Sequence, residues 1–172
     1  MNSFNDSLLQ ILQVLQQRMM MLPYTYEQLL AQSPLSVEDI AYIEQCRGEH
    51  NRLGFAYQLI FVRLLNRFPV QEPLEIEEDI VTFVTIQLGI SSEHISLYGK
   101  RRPTVTEHQD IIRGYLHLKP FSVATDEIGA FLFKEACQLE QTAALMACLK
   151  DYLKTNHILE PAQYTMYRLI QT

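Results

Sequence analysis

Apolar residues recur every three or four positions along almost all of this 172-residue chain, and prolines and glycines cut the pattern into helix-sized lengths. No segment of useful length shows the strict apolar–polar alternation of a half-buried strand. The chain is therefore expected to be all-α, a helical bundle forming either one body or two small helical subdomains that share an interface. With 48% apolar side chains at this length, a real core can be buried.

The segments can be followed in order. Residues 5–21 place Leu8, Leu12, Leu15 and Met19 on one stripe that Pro23 ends. An acid before this stripe, with glutamines and an arginine inside it, predicts a first helix rather than a signal peptide. A short helix is expected over Tyr24–Gln32. Ser36, with Asp39 three residues on, predicts an N-cap for a helix with Val37, Ile40 and Ile43 inward and Gly48 as its stop. Asn51 is expected to cap a helix running to Arg67, with Phe55, Leu59, Val62 and Leu65 inward and Arg52, Arg63 and Arg67 on a solvated surface. Glu77, Glu78 and Asp79 suit the positive end of the next helix. Thr104 with Glu107 predicts a cap for a helix through about Leu118, which Pro120 breaks. A helical tract from Asp126 to about Thr155 is expected to break near Gln141, and Pro161 marks the start of a last helix. That helix runs to the C-terminus in mid-pattern, as if cut from something longer. The organisation expected is a subdomain over 1–120 and a second over 121–172 packed on it.

Several function classes lose support at this stage. No stretch of eighteen uncharged apolar residues exists, so neither a transmembrane helix nor a membrane partner is expected. Cys46, Cys137 and Cys148 are odd in number and scattered, which fits a reducing cytoplasm better than a disulfide framework. The five histidines do not cluster with them, so no structural metal or cofactor is expected. No acids pair at catalytic spacing and no pattern points to a small-molecule substrate, so the chain alone is not expected to be an enzyme. The net charge is −6, where a DNA-binding domain is usually basic. The balance is uneven, however. Residues 99–119 carry Lys100, Arg101, Arg102, Arg113 and Lys119 against Glu107 and Asp110 only.

The informative stretch is Thr82–Arg102. A helix-turn-helix unit needs two short helices, a tight turn favouring glycine, and apolar residues where the helices face each other. With Gly89 at the turn, Val84 and Leu88 fall on the inner face of the first helix, Ile90 plugs the turn, and Ile95 and Tyr98 anchor the second. Thr85 takes the close crossing and Ser91 caps the second helix. A unit at about 82–98 then turns Ser92, Glu93, His94 and Ser96 outward, where short polar groups reach base edges. Lys100, Arg101 and Arg102 follow at once and suit phosphates. The candidate DNA-binding residues are Ser91, Ser92, His94, Ser96, Lys100, Arg101, Arg102, Arg113, Lys119 and Arg52. The same pattern also suits a helical protein–protein interaction module.

Leu35–Ile40, Arg47 and the run Asn51-Arg52-Leu53-Gly54-Phe55-Ala56-Tyr57-Gln58-Leu59 resemble the N-terminal domain of the Tn-three family, the class II replicative transposases. Gln87–Ile90, Tyr98, Glu107-His108, Ile111, Tyr115-Leu116, Phe121, Lys154 and Ile158–Pro161 continue the likeness in order, over about residues 22–172. The resemblance implies a region that recognises double-stranded DNA at transposon terminal inverted repeats. It also implies a separate RNase H-like domain for metal-dependent strand cutting, too large to fit here, and hence the remaining transposase domains as partners.

Overall fold

The computed structural model describes residues 24–171 except Arg101 and Glu140; the helix expected over 5–21 lies outside them. The described residues form nine α-helices and no strand, so the all-α expectation holds. α1 spans Tyr26–Gln32, α2 Val37–Gln45 and α3 Glu49–Leu65. α4 spans Glu78–Leu88; a 3₁₀ turn over Ser92–His94 then leads into α5, Ile95–Tyr98, and α6 covers Arg102–Tyr115. A second 3₁₀ turn, Phe121–Val123, precedes α7 (Thr125–Ala136), α8 (Thr142–Thr155) and α9 (Gln163–Ile170).

Local chemistry starts the early helices. Thr25 and Gln28 form a capping box on α1, and Ser36 and Asp39 form one on α2, each side chain bonding the other residue's backbone N–H. α3 is the central element: every residue from Leu53 to Val62 is buried, so the helix is enclosed on all sides. It packs against α2, α4, α5 and α6. Around it lies an apolar cluster including Leu29, Ile43, Phe55, Phe61, Phe83, Val84 and Ile112. A second cluster gathers Ala124, Ile128, Leu132, Leu149, Leu153, Ile158 and Met166 from α7 to α9.

The two clusters meet where three helices end. Asn66, His117 and His157 follow α3, α6 and α8 and have left-handed backbones, φ 53°, 53° and 56°. The Asn66 amide donates to the Ile158 carbonyl at 2.8 Å, and the Asn66 carbonyl accepts from the Glu160 N–H at 2.8 Å. Lys119 N–H donates to His157 O at 2.7 Å, and Leu159 N–H to Lys119 O at 2.9 Å. These backbone groups and the Asn66 side-chain amide satisfy one another at the junction.

Several boundaries differ from expectation. Gly48 (φ 80°) opens α3 rather than merely stopping α2, and Asn51 lies inside α3, its amide on the Arg47 carbonyl at 2.8 Å. Val37 is 88% exposed, not inward. α6 begins at Arg102, so Thr104 is a helical residue and not a cap; Pro103 is tolerated in the first turn, where a missing N–H costs nothing. The tract after Asp126 does break before Gln141, and α9 starts two residues after Pro161.

Candidate nucleic-acid interface

The helix-turn-helix-like unit is built from its turn outward. α4 closes on Gly89, whose φ of 65° is left-handed and whose N–H bonds the Thr85 carbonyl at 2.9 Å. Val84 and Ile90 are buried, and Leu88 and Ile95 pack on the first cluster. The second member is shorter and less regular than expected, because a 3₁₀ turn of three residues precedes a single α-turn. Ser91 occupies the cap position, but its side chain makes no capping bond, contrary to expectation.

A close approach holds this short element in place. The Tyr98 ring, 1% exposed, lies directly over Gly54 of α3; a β-carbon on Gly54 would come 2.1 Å from the ring's Cγ. Only a glycine leaves that notch open.

A polar relay surrounds the ring. Gln109 Nε2 donates to Gln58 Oε1 at 3.0 Å. Gln58 Nε2 donates to the Tyr98 hydroxyl and, at 3.5 Å, to the Val105 carbonyl, which can only accept. The Tyr98 hydroxyl sits 2.8 Å from His108 Nδ1, and His108 Nε2 lies 3.6 Å from the Cys46 sulfur. Gln58 donates to this hydroxyl, and Nδ1 is the acceptor in reach of the hydroxyl's own buried proton, which places the His108 proton on Nε2. Burial lowers the His108 pKa to about 4, keeping the ring neutral at neutral pH. It also raises the Tyr98 phenol, and it pushes the Cys46 thiol up to about 11, making it a poor nucleophile.

A second polar knot ties α2, α3 and α6. Asp39 is fully buried; its two oxygens take Arg63 at 2.6 and 2.8 Å, Ser36 N–H at 2.7 Å and the Tyr115 hydroxyl at 2.8 Å. Burial pushes its carboxyl up, but these hydrogen bonds outweigh it and hold the pKa below the usual range. Arg67 pairs in the same bidentate way with Glu75, at 2.7 Å to each oxygen. Arg63 and Arg67 are therefore ion-paired, not free solvated cations.

The candidate DNA-binding residues fall into three places. Ser91, Ser92, Ser96, Lys100 and Arg102 are exposed along one run of chain, and Arg101 lies outside the described residues. His94 is half-buried, with Nε2 2.9 Å from Glu49 at the start of α3. Arg102 pairs with Glu72 at 2.8 Å. Arg52, one turn beyond Glu49 and exposed, bonds the Cys46 carbonyl through Nε at 3.2 Å. Arg113 pairs with Asp110 and lies over the Phe68 ring at 5.1 Å, about 16 Å along α6 from Arg102 at helical rise. Lys119 is further on, in the junction between the clusters.

A family model described as "Domain of unknown function (DUF4158)" matches residues 13–172. The chain belongs to that family. It is 32% identical over 140 residues to "Transposase for transposon gamma-delta" of Escherichia coli (strain K12), covering 79% of this chain and 14% of that protein. It is 30% identical over 149 residues to "Transposase for transposon Tn3926" of Escherichia coli, covering 86% and 15%. Against "Transposase for transposon Tn1546" of Enterococcus faecium it is 28% identical over 138 residues, covering 78% and 14%. The chain thus spans 14 to 15% of the length of these relatives. With them it is a Tn-three-family transposase N-terminal region, as the resemblance implied.

The residues that carried the family likeness converge in space. Gly54, Gln58, Tyr98 and His108 meet at the notch and relay, and Ser36, Asp39 and Tyr115 meet at the acid knot. Tyr98 was expected as an anchor of the second helix, but neither polar cluster was expected. Gln58, a lone amide in the buried run Phe55–Val62, was the visible signal. No His/Cys/Asp/Glu group among the described residues could hold a metal, and no described helix is long and apolar enough to cross a membrane.

Proposed function

We propose that this chain is the DNA-recognising part of a transposase, reading double-stranded DNA at the terminal inverted repeats of its transposon. The observation that carries this reading is the presented face of the helix-turn-helix-like unit. Tyr98 in the Gly54 notch fixes the short second member, while Ser92 and Ser96 stay exposed beside Lys100. Ser92, His94 and Ser96 are assigned to base edges, and Lys100, Arg101 and Arg102 to flanking phosphates. Arg113, Lys119 and Arg52 are assigned to backbone contacts outside the reading face. Strand cutting and joining are assigned to other domains of a full transposase, and the boundary between subdomains to about residue 120.

The net charge of −6 shapes the binding law. Arg102 and Arg113 must leave Glu72 and Asp110 to reach phosphate, so affinity should be modest and should fall steeply with salt. Replacing Arg101 and Arg102 with alanine should weaken binding to every duplex. The logarithmic salt slope should become shallower by about one per lost contact. Fluorescence anisotropy with repeat and scrambled duplexes over a salt series measures both. Equal affinity of wild type and double variant at low salt would overturn this surface. It would favour instead a helical module that docks other transposase domains, a reading to which exposed Phe133 (78%) and Tyr164 (69%) lend support.

A further inference from the structure

The relay around Tyr98 joins four elements that also share the first apolar cluster, and adds directional bonds between them. Gln109 and His108 come from α6, Gln58 from α3, Tyr98 from α5, and Cys46 from the end of α2. Their hydrogen bonds run one way. Gln109 donates to Gln58, Gln58 to Tyr98, Tyr98 to His108 and His108 toward Cys46, whose own S–H faces the Tyr42 carbonyl at 3.8 Å. Reversing one member would leave two donors or two acceptors face to face, and reversing all of them would turn the Gln58 Oε1 toward the Val105 carbonyl, so the set has a single consistent arrangement. The imidazole also stacks on the Tyr98 ring, with centroids 5.5 Å apart and planes at 20°, and meets Phe55 edge-on at 5.2 Å.

We propose that Gln58, Tyr98, His108 and Gln109 are positioning residues that set the rotation of the Ser92–Tyr98 element, and thereby the sequence discrimination of the unit rather than its bulk stability. This rests on the DNA-recognition reading above. The element is too short to define its own axis: one 3₁₀ turn and one α-turn make few internal hydrogen bonds. Ser92, His94 and Ser96 can hold one register against base edges only if the Tyr98 end is fixed in rotation as well as depth. The Gly54 notch supplies the depth, because the ring face meets bare backbone there. The hydroxyl, bonded on both sides by Gln58 and His108, supplies the rotation. An apolar ring in the same notch would keep its burial and lose that constraint.

The test uses the full chain with the relay made apolar, as Gln58→Leu, Tyr98→Phe, His108→Leu and Gln109→Leu together. Replacing all partners at once leaves none of the four with an unmet polar side chain. The variant should stay folded, with a thermal midpoint close to wild type and unchanged affinity for scrambled duplex. Its preference for the terminal-repeat duplex should fall at least tenfold. Amide hydrogen exchange over residues 92–98 should speed up at least tenfold, while exchange in α3 stays slow. A folded variant that keeps both its preference and its protection over 92–98 would overturn the proposal. If the quadruple variant does not fold, Tyr98→Phe alone decides, with a smaller loss of preference and the same local exchange expected. If wild type itself shows no preference between duplexes, the DNA reading fails, and exchange over 92–98 still decides whether the relay positions the element.

Discussion

Between Tyr24 and Leu118 polar side chains lace the core, whereas from Phe121 onward every buried residue described is apolar. Among the described residues, Ser33, Asp39, Gln58, Asn66, His108 and Gln109 are the buried polar ones; Asn66 sits at the junction itself and the others precede it. The second cluster relies on aliphatic contact and on Phe131 stacked against Tyr152, with centroids 4.1 Å apart. Both constructions bury apolar surface, but they differ in what they specify. Aliphatic packing gains free energy roughly by area and tolerates small rotations of a helix. A buried hydrogen-bonded set contributes little net stability but penalises every arrangement that leaves a member unpaired. The half that presents the helix-turn-helix-like unit is the half built with directional bonds.

The largest expected effect tests the tightest point of that half. Gly54→Ala places a methyl group 2.1 to 2.3 Å from three atoms of the buried Tyr98 ring, and neither α3 nor the ring has room to yield. Overpacking of this kind should cost about 3 kcal/mol or more, read as a lower urea midpoint at unchanged slope. A loss below roughly 1 kcal/mol would mean that the notch is soft, and that the two halves differ less than their contacts imply.

Acid should separate the halves next. The His108 pKa is lowered by burial from 6.5 to about 4 in the folded chain, so between these values the unfolded chain binds the extra proton. Stability from this group is complete above about pH 6.5 and is lost as pH falls toward 4, by on the order of 3 kcal/mol. Asp39 and Glu75, held below the usual carboxylate range, lose their contributions at lower pH still. Glu160, raised by burial, acts in the opposite sense and gains as it protonates. Unfolding at a series of pH values for wild type and His108→Gln isolates the histidine, since glutamine keeps an acceptor without titrating there. Identical slopes from pH 6.5 to 4 would show that the relay does not hold a neutral imidazole.

How far these features could be read in advance depended on their range along the chain. The capping box at Ser36, the Gly89 turn and the break before Gln141 are local, and spacing or residue type marks them, whereas the Thr25 cap was missed because the expected helix began at Tyr24. The start of α6 at Arg102 was missed because Thr104 and Glu107 imitate a cap, while Pro103 was the truer sign. The 3₁₀ opening over Ser92–His94 is shorter than any periodicity can register. The Asp39–Arg63 pair and the Gln58–Tyr98 bond span 24 and 40 residues, and nothing in a helical period announces such partners. For the candidate interface, the exposure of Ser92 and Ser96 followed from the template, but the tether of His94 to Glu49 and the pairing of Arg102 with Glu72 did not. Those contacts arise only once separate helices are packed together.

The smallest expected effect has the opposite sign and comes from the other half. Gly129 lies in the middle of α7, exposed, with a helical backbone and, beyond its chain neighbours and its own helix backbone, no atom within 4 Å of where a β-carbon would stand. Glycine there adds flexibility to the unfolded chain and gives the helix nothing in return. Gly129→Ala should therefore stabilise the chain by about 0.5–1 kcal/mol. At this chain length that is a rise of roughly 1–4 °C in thermal midpoint, without change in DNA affinity. The comparison with Gly54 is direct, because one methyl group is added to a helical glycine in each case and only the surroundings differ. A midpoint that falls instead would show that the Gly129 face of α7 meets another surface in solution. The apolar half would then carry a specific contact of its own, and the division between a directional half and a plain one would not hold.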